Sequence, residues 1–243
     1  TDPELVARAI VGMDYVLHAA TLHKPHVATH TRQEFIDTNV SGTLRLLEAS
    51  VQAGVRGFVF TSTTSVFGRA IDREQTTWVT EELPPAPRNI YGLTKVAAEG
   101  LCEQVHRLQK LPCLVLRTSR FFPEEDDDPQ ARATYEDANL KANEYLFRRV
   151  EISDAVLAHL RALEHVERIG FGRYIITATT PFSRDDLPDL SVDAAASVRR
   201  LVPEAAAEYA RRGWRLPASL DRVYVNEAAR RDLDWRPQFD FRE

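Results

Sequence analysis

Tyr15-Val16-Leu17-His18-Ala19-Ala20 and Gly57-Phe58-Val59-Phe60-Thr61 are two short apolar runs separated by one long helical stretch. Runs without polar alternation suit strands covered on both faces. Between them, Thr31 to Ala53 carries Ile36, Val40, Leu44, Leu47 and Val51 at steps of three or four, and Gly54 follows. That spacing predicts a helix with these five on its buried stripe, closed by the glycine. Strand, crossover helix and strand together form the unit from which parallel sheets are built.

The same alternation continues outward. Upstream, Pro3 to Ile10 reads as a short helix with Asp2 as N-cap, Pro3 at the first position and Gly12 as its end. Downstream, Ser62-Thr63-Thr64-Ser65 leads to a loop with Pro84, Pro85 and Pro87. Asn89 then caps a helix that begins near Tyr91 and runs through Val96, Leu101, Val105 and Leu108. A third apolar strand, Cys113 to Arg117, follows. The pattern predicts an α/β protein with a doubly wound parallel sheet, covered on both faces, over residues 1–120. Residues 121–243 differ: an acidic loop (Glu124 to Asp128), a helix from about Asp154 to Leu163, a strand at Tyr174 to Ile176, and Ala- and Arg-rich helices. A smaller C-terminal α/β lobe is expected there, with some elements returning to the sheet.

Composition narrows the function classes. With 243 residues, 44% of them hydrophobic and 28% charged, the chain is long and apolar enough for a sizeable core. Its net charge of −5 provides no basic field for nucleic acid or an anionic membrane, and neither partner is expected. No apolar run approaches a membrane span, and Thr1-Asp2-Pro3-Glu4 does not read as a signal peptide. Cys102 and Cys113 have neither CxxC nor metal spacing, which points to a reducing, cytoplasmic setting. His18, His23, His26 and His30 lack the further Cys or carboxylate of a tight zinc pattern, so no metal is expected. Glu124 to Asp128 reads as a solvated loop. Trp214, Trp235, Phe121-Phe122 and Phe239/Phe241 read as core. GxSxG and Walker A sequences are both absent, which sets aside α/β-hydrolase and P-loop chemistry.

Tyr91 and Lys95 stand four apart on one predicted helix and so share a face. A phenol is a poor base at neutral pH, and a neighbouring ammonium would lower its pKa. A hydroxyl at the end of the second strand, Thr63, would then hold the substrate oxygen that Tyr91 protonates or deprotonates. A packing tyrosine beside a surface lysine gives the same spacing.

Four segments in this order resemble the extended short-chain dehydrogenase/reductases: Val16 to Ala20, Asn39-Val40-Ser41-Gly42-Thr43 continuing to Ala49, Phe58 to Gly68, and Tyr91-Gly92-Leu93-Thr94-Lys95. Within them, the NAD-dependent epimerase/dehydratase group is the nearest, and Val150 to Val156 and Leu233-Asp234-Trp235-Arg236-Pro237 resemble its later motifs. The resemblance implies catalytic roles for Thr63, Tyr91 and Lys95, with Lys95 also binding the nicotinamide ribose. It places Ala19, Ala20 and Thr21 along the adenosine and diphosphate, and Asn39, Thr61 and Ser119 near the nicotinamide of NAD or NADP. It further implies a homodimer formed through the helices at 31–53 and Tyr91.

Two departures stand out. None of the ten glycines forms the family's phosphate-cradling GxxGxxG turn. The N-terminal strands of the Rossmann sheet are accordingly expected in a further upstream segment of about two βα units. Where sugar-nucleotide members carry an amide, this chain has Arg120 in Arg117-Thr118-Ser119-Arg120-Phe121-Phe122-Pro123. A guanidinium suits an anionic substrate group, and equally a partner such as Glu124 or Asp126 in the acidic loop. The expected function is hydride transfer at a carbinol or ketone of a sugar nucleotide or related small molecule. The alternative is a non-catalytic dinucleotide sensor or scaffold on the same fold.

Overall fold

The computed structural model describes residues 2–72, 74–123 and 129–242. The Asp2 carboxylate accepts from the N–H groups of Glu4 (2.9 Å) and Leu5 (3.3 Å) and opens helix α1, Pro3–Ile10. Strand β1 follows at Tyr15–His18. Helix α2, Arg32–Phe35, starts in a reciprocal cap: Thr31 Oγ1 accepts from the Glu34 N–H while the Glu34 carboxylate accepts from the Thr31 N–H. Residues Ile36–Ser41 then widen into a π-helical turn before α3, Gly42–Ala53, which ends at Gly54 in the left-handed region (φ 70°). The chain continues through β2 (Gly57–Thr63), β3 (Thr77–Val79), α4 (Ile90–Gln109) and β4 (Cys113–Thr118). After α5 (Pro129–Thr134), α6 (Asp137–Tyr145) and α7 (Ile152–Ile169) come β5 (Phe171–Ile176), α8 (Leu187–Leu201), α9 (Pro203–Arg212), β6 (Arg222–Tyr224) and α10 (Glu227–Asp232).

The main sheet runs β1-β2-β4-β5, every pair parallel, with Thr63 level with Thr118 and Thr118 level with Ile176. Alternation along the central strands sends side chains to two cores. Phe58, Phe60, Cys113 and Val115 meet Leu47, Ala98, Cys102 and Val105 on one face. On the other, Val59, Leu114 and Leu116 meet Ala155, Ala158, Ala162 and Val166 of α7, with Trp235 fully buried behind them. A two-stranded parallel sheet of β3 and β6 stands apart. Beside it a further core gathers Leu146, Phe182, Leu190, Val198, Leu220 and Val223. The mixed α/β class and the parallel sheet agree with the sequence pattern.

The buried stripe of the long helix differs from the predicted one. Leu47 alone of the five is fully buried, whereas Ile36 is exposed and Val40, Leu44 and Val51 are half-buried. The π turn takes more residues per turn, so Phe35, Asn39, Thr43, Leu47 and Ser50 face inward instead. Two of the aromatics expected in the core also lie outside it. Phe122 (41% exposed) stacks on His23 with ring centroids 5.4 Å apart, and Phe239 is exposed. Glu124 to Asp128 lie outside the described residues. Among the described residues no helix is long and apolar enough to cross a membrane.

Candidate active site

The carboxyl ends of β1, β2 and β4 meet the first turns of α4. Asn89 Oδ1 accepts from the Gly92 N–H at 3.0 Å and starts that helix one residue before Tyr91. Gly92 permits a close approach, because a Cβ there would lie 2.9 Å from the Ser65 carbonyl oxygen and 2.9 Å from Pro87 Cβ. The first turn of α4 therefore rests on the loop after Thr63. Thr63 Oγ1 accepts from the Ser65 N–H at 3.1 Å, and its hydroxyl lies close enough to the Tyr91 phenol to lower that group's pKa. Lys95, almost fully buried, donates from Nζ to the Thr61 carbonyl at 2.5 Å and lies 4.2 Å from the centroid of the Phe60 ring. The structure thus brings Thr63, Tyr91 and Lys95 into one place.

Burial dominates the electrostatics. It pushes the Tyr91 phenol up to about 12, against a lowering by the Thr63 hydrogen bond, and brings the Lys95 ammonium down to about 8, against an opposing pull from Glu99. The lowering of the phenol expected from Lys95 is not what this geometry gives, because the ammonium is committed to the β2 backbone and the Phe60 face. Tyr91 here is a protonated acid at neutral pH.

The predicted cofactor residues fall into three groups. Ala19 and Ala20 are exposed just after β1, open to a ligand. Thr21 and Asn39 bind each other instead of facing outward. Asn39 Oδ1 accepts from Thr21 Oγ1 (2.9 Å) and the Leu22 N–H (2.8 Å), while Nδ2 donates to the Leu22 carbonyl (2.8 Å) and Thr94 Oγ1 (3.0 Å). Thr94 in turn donates to the Tyr91 carbonyl at 2.9 Å. Asn39, in the π turn, uses its full amide capacity to tie the loop after β1 to α4. The Thr61 hydroxyl meets His159 Nε2 on the α7 side at 2.8 Å, so only its carbonyl faces Lys95. Ser119 is buried at the β4 end, its Oγ without a hydrogen-bond partner.

Arg120 is partly open, its Nε 3.6 Å from Oε2 of buried Glu144, which also pairs with Arg148 (2.7 Å) and Arg149 (2.8 Å). Glu144 is thus a described partner of Arg120, whereas Glu124 and Asp126 are not described. Among the described residues no group of three or more metal-ligating side chains converges. His26 meets His23 edge-on and His30 at a tilt, and His18 points elsewhere, its Nε2 donating to Thr43 Oγ1 at 2.9 Å. Thr43 sends its own proton to the Asn39 carbonyl (2.7 Å), which fixes that tautomer.

Two features escaped sequence reasoning. His18, read there only as a metal candidate, is buried and pushed down to about 4 by desolvation and then by Lys95. Glu99 and Arg117 form a buried ion pair at 2.8 Å one turn below Lys95. Continuing the Tyr91–Lys95 face by four more residues reaches Glu99 and was the available signal.

The described residues offer contacts to a nicotinamide dinucleotide at the carboxyl edge of the sheet. The unpartnered Ser119 Oγ and the Lys95 ammonium with one protein acceptor fit the nicotinamide end, and exposed Ala19 and Ala20 leave room along the adenosine and diphosphate. A glycine cradle for the pyrophosphate is absent from this sequence.

The model of the NAD dependent epimerase/dehydratase family matches residues 1–176. The low-salt glycan biosynthesis protein Agl12 of Haloferax volcanii is 33% identical over 121 residues, which is 50% of this chain and 38% of that protein. UDP-glucose 4-epimerase of Streptomyces lividans is 37% identical over 96 residues, covering 40% of this chain and 28% of the relative. The chain spans well under half the length of either. Among solved structures, a short-chain dehydrogenase/reductase superfamily protein from Agrobacterium tumefaciens with bound NAD superposes with a TM-score of 0.68 at 24% identity, over 99% of this chain and 80% of that one. UDP-N-acetylglucosamine 4-epimerase from Bacillus cereus gives 0.66 at 19% identity, over 99% and 78%. These likenesses establish a shared fold, and with the family match extending over most of its length the chain belongs to the NAD dependent epimerase/dehydratase family.

Proposed function

We propose that this chain carries the proton-transfer and substrate-handling part of a cytoplasmic NAD(P)-dependent epimerase, dehydratase or reductase acting on a carbinol or ketone of a sugar nucleotide or related small molecule. The observation that carries this reading is the buried Thr63–Tyr91–Lys95 set at the carboxyl edge of a parallel sheet. Carboxyl edges are where open α/β sheets bind ligands. Curated relatives include UDP-glucose 4-epimerases and dTDP-D-glucose 4,6-dehydratases, which favours nucleotide sugars.

Lys95, Ser119 and the exposed Ala19-Ala20 segment would hold the dinucleotide, which would supply a hydride donor or acceptor. The chain's own residues do the rest. Thr63 Oγ1, held by the Ser65 N–H, orients the substrate oxygen against Tyr91. Tyr91, protonated by burial, gives its proton to a ketone oxygen as that oxygen gains charge, and retrieves it in the reverse direction. Arg120, partly open beside Glu144, meets an anionic substrate group.

The helices suggest the assembly. Leu93 and Leu108 of α4 are exposed (55% and 63%), with Ile36, Val40 and Leu44 open or half-open on the adjoining helix. A homodimer through this apolar surface would cover them. Free Cys102 and Cys113 fit a reducing compartment.

The test uses the complete purified protein. Mass spectrometry of released nucleotide, and NMR of products from a panel of nucleotide sugars and small ketones, should show bound NAD or NADP and a changed carbinol centre. Absence of both dinucleotide binding and turnover overturns the reading. Light scattering showing a monomer overturns the dimer.

A further inference from the structure

Tyr91, Lys95 and Glu99 follow one another at four-residue steps, so α4 presents a phenol, an ammonium and a carboxylate on one face. All three are buried. Burying a carboxylate is costly unless its oxygens are matched. Glu99 is matched from several directions. Ser62 Oγ of β2 donates to Oε1 at 2.5 Å. Arg117 of β4 donates through Nε to Oε1 (3.2 Å) and through Nη2 to Oε2 (2.8 Å). Arg173 of β5 brings its Nε within 3.4 Å of Oε2, and its Nη2 donates to Glu103 at 2.6 Å. Arg117 also reaches the Glu81 carbonyl at 3.4 Å and lies over the Phe67 ring.

One carboxylate thus ties the catalytic helix to three adjacent strands. An ion pair at this depth adds little net stability compared with apolar packing. Its position gives it another use. Resting on the reading of Lys95 as a working residue, we propose that Glu99 is the positioning residue of this site, fixing α4 against the sheet and acting as the counter-charge that keeps the Lys95 ammonium protonated.

The groups around Lys95 show why a counter-charge is needed. From α4 come Tyr91, Glu99 and the Cys102 thiol; from β1 comes His18; from β2 come the Thr61 carbonyl and the Phe60 ring. Arg117 and Arg173 add positive charge through their hold on Glu99. Among the described groups that act on Lys95, desolvation works against its charge, and Glu99 is the leading group that supports it.

The four lysines (Lys24, Lys95, Lys110, Lys141) make a direct readout practical: NMR titration of the chain labelled at lysine 13Cε, with Lys95→Met assigning the signal. Glu99→Gln should lower the Lys95 midpoint from about 8 by about one pH unit, a tenfold loss of proton affinity. Arg117→Met, which releases Glu99 from its partner, should raise it. A purely structural role predicts no such opposed pair. An unchanged midpoint in folded Glu99→Gln, or shifts of the same sign in both variants, overturns the proposal. If Glu99→Gln does not fold, Glu99→Asp should give a smaller downward shift. If neither Glu99 variant folds, Arg117→Met decides, and a midpoint at or below the native one overturns the proposal. The titration needs neither substrate nor dinucleotide, so a protein inactive on every substrate leaves its result standing.

Discussion

The two faces of the main sheet are built by opposite rules. Beneath one, α7 lays Ala155, Ala158, Ala162 and Val166 against Val59, Leu114 and Leu116, a contact of small and branched apolar groups. Beneath the other, the later part of α4 packs the same way, with Ala98, Cys102 and Val105 against Phe58, Phe60 and Val115, but the helix also buries Tyr91, Thr94, Lys95 and Glu99. A core gains most from apolar contacts and loses free energy when charges enter it. The face where that rule is broken is where the proposed chemistry lies, and its cost is carried by the packing opposite.

The contrast breaks most visibly at Lys95. Lys95→Met removes a desolvated charge, so thermal stability at pH 6 should hold or rise. Turnover should fall by about 10²–10⁴-fold, and dinucleotide affinity with it. A variant that melts earlier yet binds dinucleotide normally would make Lys95 a structural residue. Acid offers the next effect. His18 is held near 4 in the fold against an ordinary value of 6.5. Between those values the folded chain binds fewer protons than the unfolded one, so stability falls as pH drops from 6.5 towards 4. The loss is about 3 kcal/mol when complete. Urea midpoints at pH 7 and pH 4.5 should show His18→Leu losing less than the native chain, and equal losses would remove His18 from this role. The apolar face provides the smallest effect. A Cβ at Gly57 would lie 2.3 Å from Val166 Cγ1, so Gly57→Ala should cost about 1–3 kcal/mol by overpacking, with turnover per folded molecule unchanged. Adding Val166→Ala should restore part of it, and a strictly additive double mutant would contradict the contact.

What the sequence revealed follows the same division. Periodicity located the strands of the main sheet and the long helices because an apolar face leaves a repeating trace, and Asn89 marked the α4 start through its capping chemistry. Tyr91 and Lys95 were legible as an i, i+4 pair, and Thr63 through the resemblance. The π turn was not legible: Ile36, Val40 and Leu44 imitate a buried stripe, while the inward face carries Asn39 and Thr43. Short β3 and β6 leave too few residues for a period. The burial of Glu99 and Arg117 was not legible either, because it comes from β2, β4 and β5 closing around them. The high pKa of Tyr91 escaped for the same reason, since spacing shows a neighbouring ammonium and not where it is committed.

Tyr91→Phe in the complete protein tests the central claim most directly, because it deletes one oxygen and leaves the ring in its packing. Steady-state kinetics on the best substrate of the panel, with dinucleotide titration of the same preparation, should show kcat reduced by about 100-fold or more while fold and dinucleotide affinity persist. Retention of more than about a tenth of the native kcat, set against that expected loss, would mean that the proton moves through another group and that the polar face of α4 is not the catalytic one.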